Sequence, residues 1–149
     1  MNSTNASNRA FAILVAREIL ALIFFMAGFW KCFTLGPTEH ARRLFVEPFA
    51  DTFLPTWSLW ATGTAVPVIE LVAGGLLLIG LWIRPSLFAL GGVLVLVTFG
   101  HLLQDALYQF HTHVIPRTLL LLFVLCMPAE DDRFSLDRWW ARRRERART

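Results

Sequence analysis

The sequence predicts an all-α integral-membrane protein, a bundle of four helices, and three observations lead to that fold class. Hydrophobic residues make up 56% of the 149 residues and charged residues only 17%, whereas an ordinary soluble domain carries about 25% charged residues. Several apolar runs approach the roughly 20 residues that cross a bilayer. Polar and proline-containing stretches separate those runs, and no internal repeat or second domain interrupts them.

The elements follow in order. A polar N-terminal arm, residues 1–9, has no charge before Arg9. It lacks a basic n-region, and no A-x-A cleavage pattern follows the next apolar run, so the first helix is expected to be retained rather than removed as a signal peptide. The four-helix transmembrane domain covers residues 10–127. Its first span, about 10–33, is long enough to cross with some tilt. Residues 36–55 have mixed polarity. A loose apolar stripe of Leu44, Phe45, Phe49 and Phe53, broken by Pro48, predicts a short interfacial or re-entrant piece. The second span runs from about 57 to 83, with Pro67 and Glu70 inside it, and the third from about 85 to 107. Arg84-Pro85 separates them as a tight hairpin with Pro85 at a first helical position. The fourth span, about 112–127, is short at roughly 24 Å of helical rise. Thr112 is its expected N-cap, and Pro116 then falls in the first turn, where a missing N–H costs little. Residues 128–149 form an amphipathic, basic C-terminal tail, in which Ser135 is expected to cap a short helix.

Four spans place both termini on one side. Ten Lys and Arg residues fall on that side and four (Lys31, Arg42, Arg43 and Arg117) on the other, which predicts cytoplasmic termini in an inner membrane. Phe29, Trp30, Trp57, Trp60 and Tyr108 then form the outer aromatic belt, and Trp82, Trp139 and Trp140 the inner one. Cys32 and Cys126 fall near opposite faces, too far apart to pair. The arginines of RWWARRRER meet the negative field of the inner leaflet. The partners expected are the lipid bilayer and other membrane or periplasmic subunits, not nucleic acid.

Two groups of residues could carry chemistry. Arg17 and Glu70 come out at matching depth on sequential helices, about 10 Å from the inner boundary by helical rise, and a lone charge in hydrocarbon is costly. They are expected to form a buried polar pair. That pair either locks two helices in register or serves as a proton relay or quinone head-group site. Glu18 faces elsewhere and snorkels inward. Lys31 snorkels to the outer interface. Gly28, with Gly74, Gly75, Gly91 and Gly92, offers small packing surfaces. The second group is extracytoplasmic: His101, Asp105, His111 and His113 in HLLQDALYQFHTH, with Lys31 and His40. His101 and Asp105, four apart, share a helix face. Imidazole with carboxylate suits a metal or haem, but no sharp metal motif such as HExxH is present. A polar hairpin and a docking or quinone-edge surface are the other possibilities.

The stretches AREILALIFFMAGFWK, PVIELVAGGLLLIGLWIRP and FSLDRWW, in this order and spacing, resemble the DoxX family of small four-helix membrane proteins over about residues 10–140. Arg17, Gly28, Lys31, Glu70, Gly74, Gly75, Gly80 and Arg84 match that pattern, and no catalytic residue transfers with it. The resemblance implies a subunit or accessory of a membrane oxidoreductase complex, rather than a self-sufficient enzyme, with quinone as the cofactor considered. A non-enzymatic scaffold or assembly factor, or a metal-handling protein using the outer histidines, is the alternative.

Overall fold

A computed structural model describes residues 3–105 and 110–147, and side chains for all of these except residues 3, 4, 110, 111 and 113. Among the described residues every regular element is a helix. Helix α1 (Ser3–Phe29) runs on through a π-helical turn at Trp30–Leu35. A short helix α2 (Pro37–Ala41) and a second π-helical turn (Arg42–Val46) follow. The long helices α3 (Thr56–Leu78) and α4 (Ile83–Gln104) come next, then α5 (Phe110–Cys126) and α6 (Leu136–Arg146). Three segments, Asn5–Leu35, Thr56–Leu78 and Ile83–Gln104, are long and apolar enough to cross a membrane, and Val114–Cys126 is a shorter apolar helix.

Helix α1 packs on α3, α3 on α4, α4 on α5, and α5 returns to α1. The core they enclose takes residues at helical spacing from each: Ala16, Leu20 and Phe24, then Ala73 and Leu77, then Leu87, Leu90 and Leu94, then Leu121 and Val124. Between apolar helices in lipid, close packing replaces the hydrophobic drive, so small residues set the contacts. A Cβ on Gly28 would collide with the backbone of Leu71, and one on Gly74 would lie 2.6 Å from the Phe25 nitrogen. Helices α1 and α3 therefore touch backbone to backbone. The expectation for glycine holds there and not elsewhere. Gly75 makes ordinary contacts with the Phe25 ring, the nearest atoms to a Gly91 Cβ are 3.9 Å away on Leu121, and nothing lies within 4 Å of one on Gly92.

Several expected boundaries move. The N-terminal arm is helical from Ser3, because no proline or glycine interrupts it and Arg9 is tied to Asp131 at 2.9 Å. The α3–α4 turn falls at residues 79–82 rather than at Arg84-Pro85, so Pro85 sits in the first turn of α4, not at its first position. Gly80 takes a positive φ of 67° and Trp82 a left-handed φ of 49°, an unfavourable conformation for a bulky residue. Helix α5 already includes Phe110, so Thr112 lies inside it rather than capping it, and Pro116 lies in its interior rather than its first turn.

The C-terminal tail folds back onto this turn. Ser135 caps α6, accepting from the Arg138 N–H at 3.3 Å and donating to the Asp132 carbonyl at 2.9 Å. The Asp137 carboxylate accepts the N–H groups of Trp82 and Ile83, both at 3.0 Å. It therefore caps α4 from a distance of 55 residues along the chain and holds Trp82 in its left-handed conformation. The Asp137 N–H donates to the Gly80 carbonyl at 3.0 Å, and a Cβ on Gly80 would lie 2.8 Å from Ser135 Cα.

Two stability outcomes follow from these contacts and can be checked by thermal unfolding in detergent. Gly28→Leu prises α1 from α3 and costs about 3 kcal/mol. Asp137→Ala orphans the first N–H groups of α4 and costs about 1–2 kcal/mol, with Asp137→Asn retaining part of the cap.

Candidate functional site

Arg17 and Glu70 are both buried, with 1% and 4% of their surface exposed, but they do not pair with each other. The contacts of Gly28 with Leu71 and of Phe25 with Gly74 set an antiparallel register that puts Phe29, not Arg17, opposite Glu70. Phe29 lies twelve residues beyond Arg17, about 18 Å along the helix. Counting depth from assumed span ends could not detect that offset.

Arg17 instead sits at the C-terminal end of α3. Its Nη1 donates to the Leu77 carbonyl in the last turn of α3, which also accepts the Gly80 N–H at 3.0 Å. It also contacts Glu18 at 3.0 Å, while Nε approaches Asp132 at 3.2 Å as an ion contact rather than an aligned hydrogen bond. Glu18 is thus partnered by its neighbour rather than snorkelling alone. Burial pushes the Asp132 carboxyl above its ordinary range, against the pull of Arg17. Asp132 carried no sequence signal, since it lies in a polar tail that looked solvated.

Glu70 is neutralised by Lys31, whose Nζ lies 2.6 Å from Oε2. Lys31 therefore reaches into the helix pair, not outward to the interface. The cause is local. Lys31 lies one turn beyond Gly28, where the two backbones meet, and a buried carboxylate without a counter-charge costs several kcal/mol. The π-helical turn begins at Trp30, beside this lysine.

A cavity of about 410 Å³ opens beside the pair, bounded by Lys31, by residues 40–54, by the first half of α3 and by the end of α4. The segment after α1 forms its roof, packing α2 and the following π-helical turn against α3. Ala41 sits against Gly63, where a Cβ would lie only 2.6 Å from Ala41 Cα, so the contact requires glycine. The walls are mainly aliphatic and aromatic, including Phe45, Phe49, Leu59, Val66 and Phe99. Lys31, His40, His101 and Gln104 are among the few groups that bring polarity to it.

His40 has a specific anchor. Pro67 has no N–H to offer the carbonyl four residues earlier, so the Gly63 carbonyl loses its intrahelical partner. His40 Nδ1 fills that role, donating at 2.7 Å. The ring is 2% exposed and lies 5.6 Å from the Phe45 ring. Burial holds its pKa below the ordinary imidazole value, although the hydrogen bond to Gly63 acts the other way. A neutral ring that donates through Nδ1 keeps its basic lone pair on Nε2. The signal for this anchor was in the sequence as Pro67 four residues after Gly63, but nothing in the sequence identified the donor.

The other expected members are brought together in part. His101 is half-buried and lines the same cavity as Lys31 and His40. Helix α4 ends at Gln104, and Asp105 is its C-cap, in an extended conformation (φ −142°) with its N–H donating to the His101 carbonyl at 2.8 Å. The side chains of His111 and His113 lie outside the described residues. Among the described residues no group of three or more His, Cys, Asp or Glu side chains could hold a metal ion.

The ion pair and the histidine each predict a measurable behaviour. Lys31→Met or Glu70→Gln alone strands a charge or a polar group in the apolar interior and lowers stability by about 3 kcal/mol, while the double variant loses clearly less than the sum in a thermal-unfolding cycle. For His40, the folded pKa lies below the unfolded one, so its contribution is full above about pH 6.5 and is lost as the pH falls from there through the folded value. Stability in detergent therefore declines on acidification below that point, and the decline is smaller in His40→Gln.

Comparison with curated proteins and with solved structures returns no match. Among protein families, residues 9–113 match the one described as methylamine utilisation protein MauE. This is a multi-pass membrane family, but it is not DoxX. The early arginine, the Gly-x-x-Lys and the Glu before Gly-Gly are packing and ion-pair devices that small helical membrane proteins have reason to share. They therefore point to the type of protein more sharply than to the family. The match runs from the first arginine of α1 through the cavity-lining helices α3 and α4 into α5, well over half of the chain, and by it the chain belongs to the MauE family.

Proposed function

We propose that this protein is a multi-pass inner-membrane component of an oxidation system, of the methylamine-utilisation kind for which its family is described. In this proposal it holds a quinone in the cavity beside Lys31 and His40 and acts as a subunit or accessory rather than a self-sufficient enzyme. The observation that carries the proposal is His40. It is buried and kept neutral, its Nδ1 is committed to the Gly63 carbonyl, and it lies at the wall of a largely apolar 410 Å³ cavity. Sites for small apolar molecules have this composition, with apolar walls and a few placed polar groups.

The polar complement suits a neutral ligand. Lys31 and Glu70 cancel each other's charge, and the neutral imidazole offers a proton acceptor to a quinol hydroxyl. Gln104 and His101 can donate to a quinone carbonyl. A bound quinone would supply two-electron, two-proton chemistry, while these residues orient it and hold a proton at His40 Nε2. The topology that goes with this proposal has α1, α3, α4 and the shorter α5 as four spans. Both termini are cytoplasmic, and the cavity opens toward the outer face, where a membrane or periplasmic partner can reach it.

The test is extraction of the protein, purified in mild detergent, followed by mass spectrometry for quinone. A short-chain quinone analogue is then added in a thermal-shift assay. Wild type retains quinone and is stabilised by the analogue, and His40→Ala loses both effects by about tenfold or more in affinity. Absence of quinone together with no response to the analogue would overturn the reading and favour a non-enzymatic scaffold or assembly factor. So would unchanged activity of the partner system in a Glu70→Gln strain.

A further inference from the structure

The geometry of α6 points to a docking surface for anionic phospholipid headgroups. The helix has two unlike sides. At 100° per residue, Asp137, Arg138 and Ala141 share the side that turns toward the protein, and all three are partly buried. Asp137 is fixed there by the α4 N–H groups. The opposite side carries Leu136, Trp139 and Trp140, exposed at 40%, 46% and 46%. Arg142, Arg144 and Arg146 flank that stripe and are exposed, and Arg143 stacks over the Trp139 ring at 4.0 Å. Phe134, just before the helix, is 61% exposed.

An apolar, tryptophan-bearing stripe that faces away from the protein body and is bordered by arginines is the arrangement of a helix lying in a headgroup layer. The anchoring sets its depth. Ser135 and Asp137 bind α6 to the α3–α4 turn, which is where two apolar spans end. The helix therefore starts at the membrane boundary. Its charge favours anionic lipid, because juxtamembrane arginines gain about 1 kcal/mol each near such a surface. An acidic protein would complement the arginines but would leave the tryptophan stripe without an apolar partner.

The full-length protein in nanodiscs tests this. Trypsin cleavage after Arg142 to Arg146 is followed in phosphatidylcholine alone and in a phosphatidylcholine–phosphatidylglycerol mixture, normalised to hydrolysis of a neutral soluble peptide in the same reaction. The expected result is cleavage about tenfold slower with phosphatidylglycerol. That protection should be lost at high salt and in Trp139→Ala/Trp140→Ala, which keeps every cleavage site. Equal rates in the two lipids overturn the proposal. Protection that persists at high salt, or in the double variant, does so as well, since it would mean that the protein body, not the headgroups, shelters the helix.

Discussion

A carboxylate in the middle of an apolar helix has to be neutralised, and much of this structure follows from how Glu70 meets that demand. Lys31 can reach it only because α1 and α3 touch at Gly28, where no side chain intervenes. The contact is steric and the pairing electrostatic, and each requires the other. Without the close approach the pair would be too far apart to offset its desolvation. Without the pair, a buried charge would sit at the tightest part of the helix interface.

That register has a consequence at the other end of the same helices. It leaves Arg17 beside the last turn of α3, with no carboxylate on the facing helix to meet it. Its counter-charges are Glu18, its neighbour on α1, and Asp132 from beyond α5, and the latter contact holds the tail back over the α3–α4 turn. Once there, Ser135 caps α6 and Asp137 caps α4. A basic tail that could have trailed from the last helix becomes part of the terminal end of the fold, and its aromatic stripe is aimed outward.

The two polar clusters differ in what they leave open. At Arg17 the charged groups are enclosed by one another and by helix-end carbonyls. At Lys31 and Glu70 the lysine borders a cavity, and a proline three residues before Glu70 frees the carbonyl that orients His40. One cluster fastens helices and tail together. The other leaves His40 beside a largely apolar chamber, the feature on which the proposed quinone site rests.

The sequence by itself determined the helical, membrane-embedded character, the approximate position of the three long apolar helices, the packing role of Gly28 and Gly74, and the cap at Ser135. Each of these rests on local composition or on spacing within one helix. It also singled out Arg17, Lys31, His40, Glu70 and His101 as the polar residues that needed an explanation. Only the tertiary structure decided their partners. Helix depth counted from assumed ends cannot reveal the offset between two antiparallel helices, which is set by where their backbones can touch. For that reason Arg17 was matched with Glu70 when its counter-charges were Glu18 and Asp132, and Lys31 was sent to the interface when it was needed inside. His40 shows the same division. The freed carbonyl was written in the chain as Pro67 after Gly63, but a donor 23 residues away could be found only in the folded molecule.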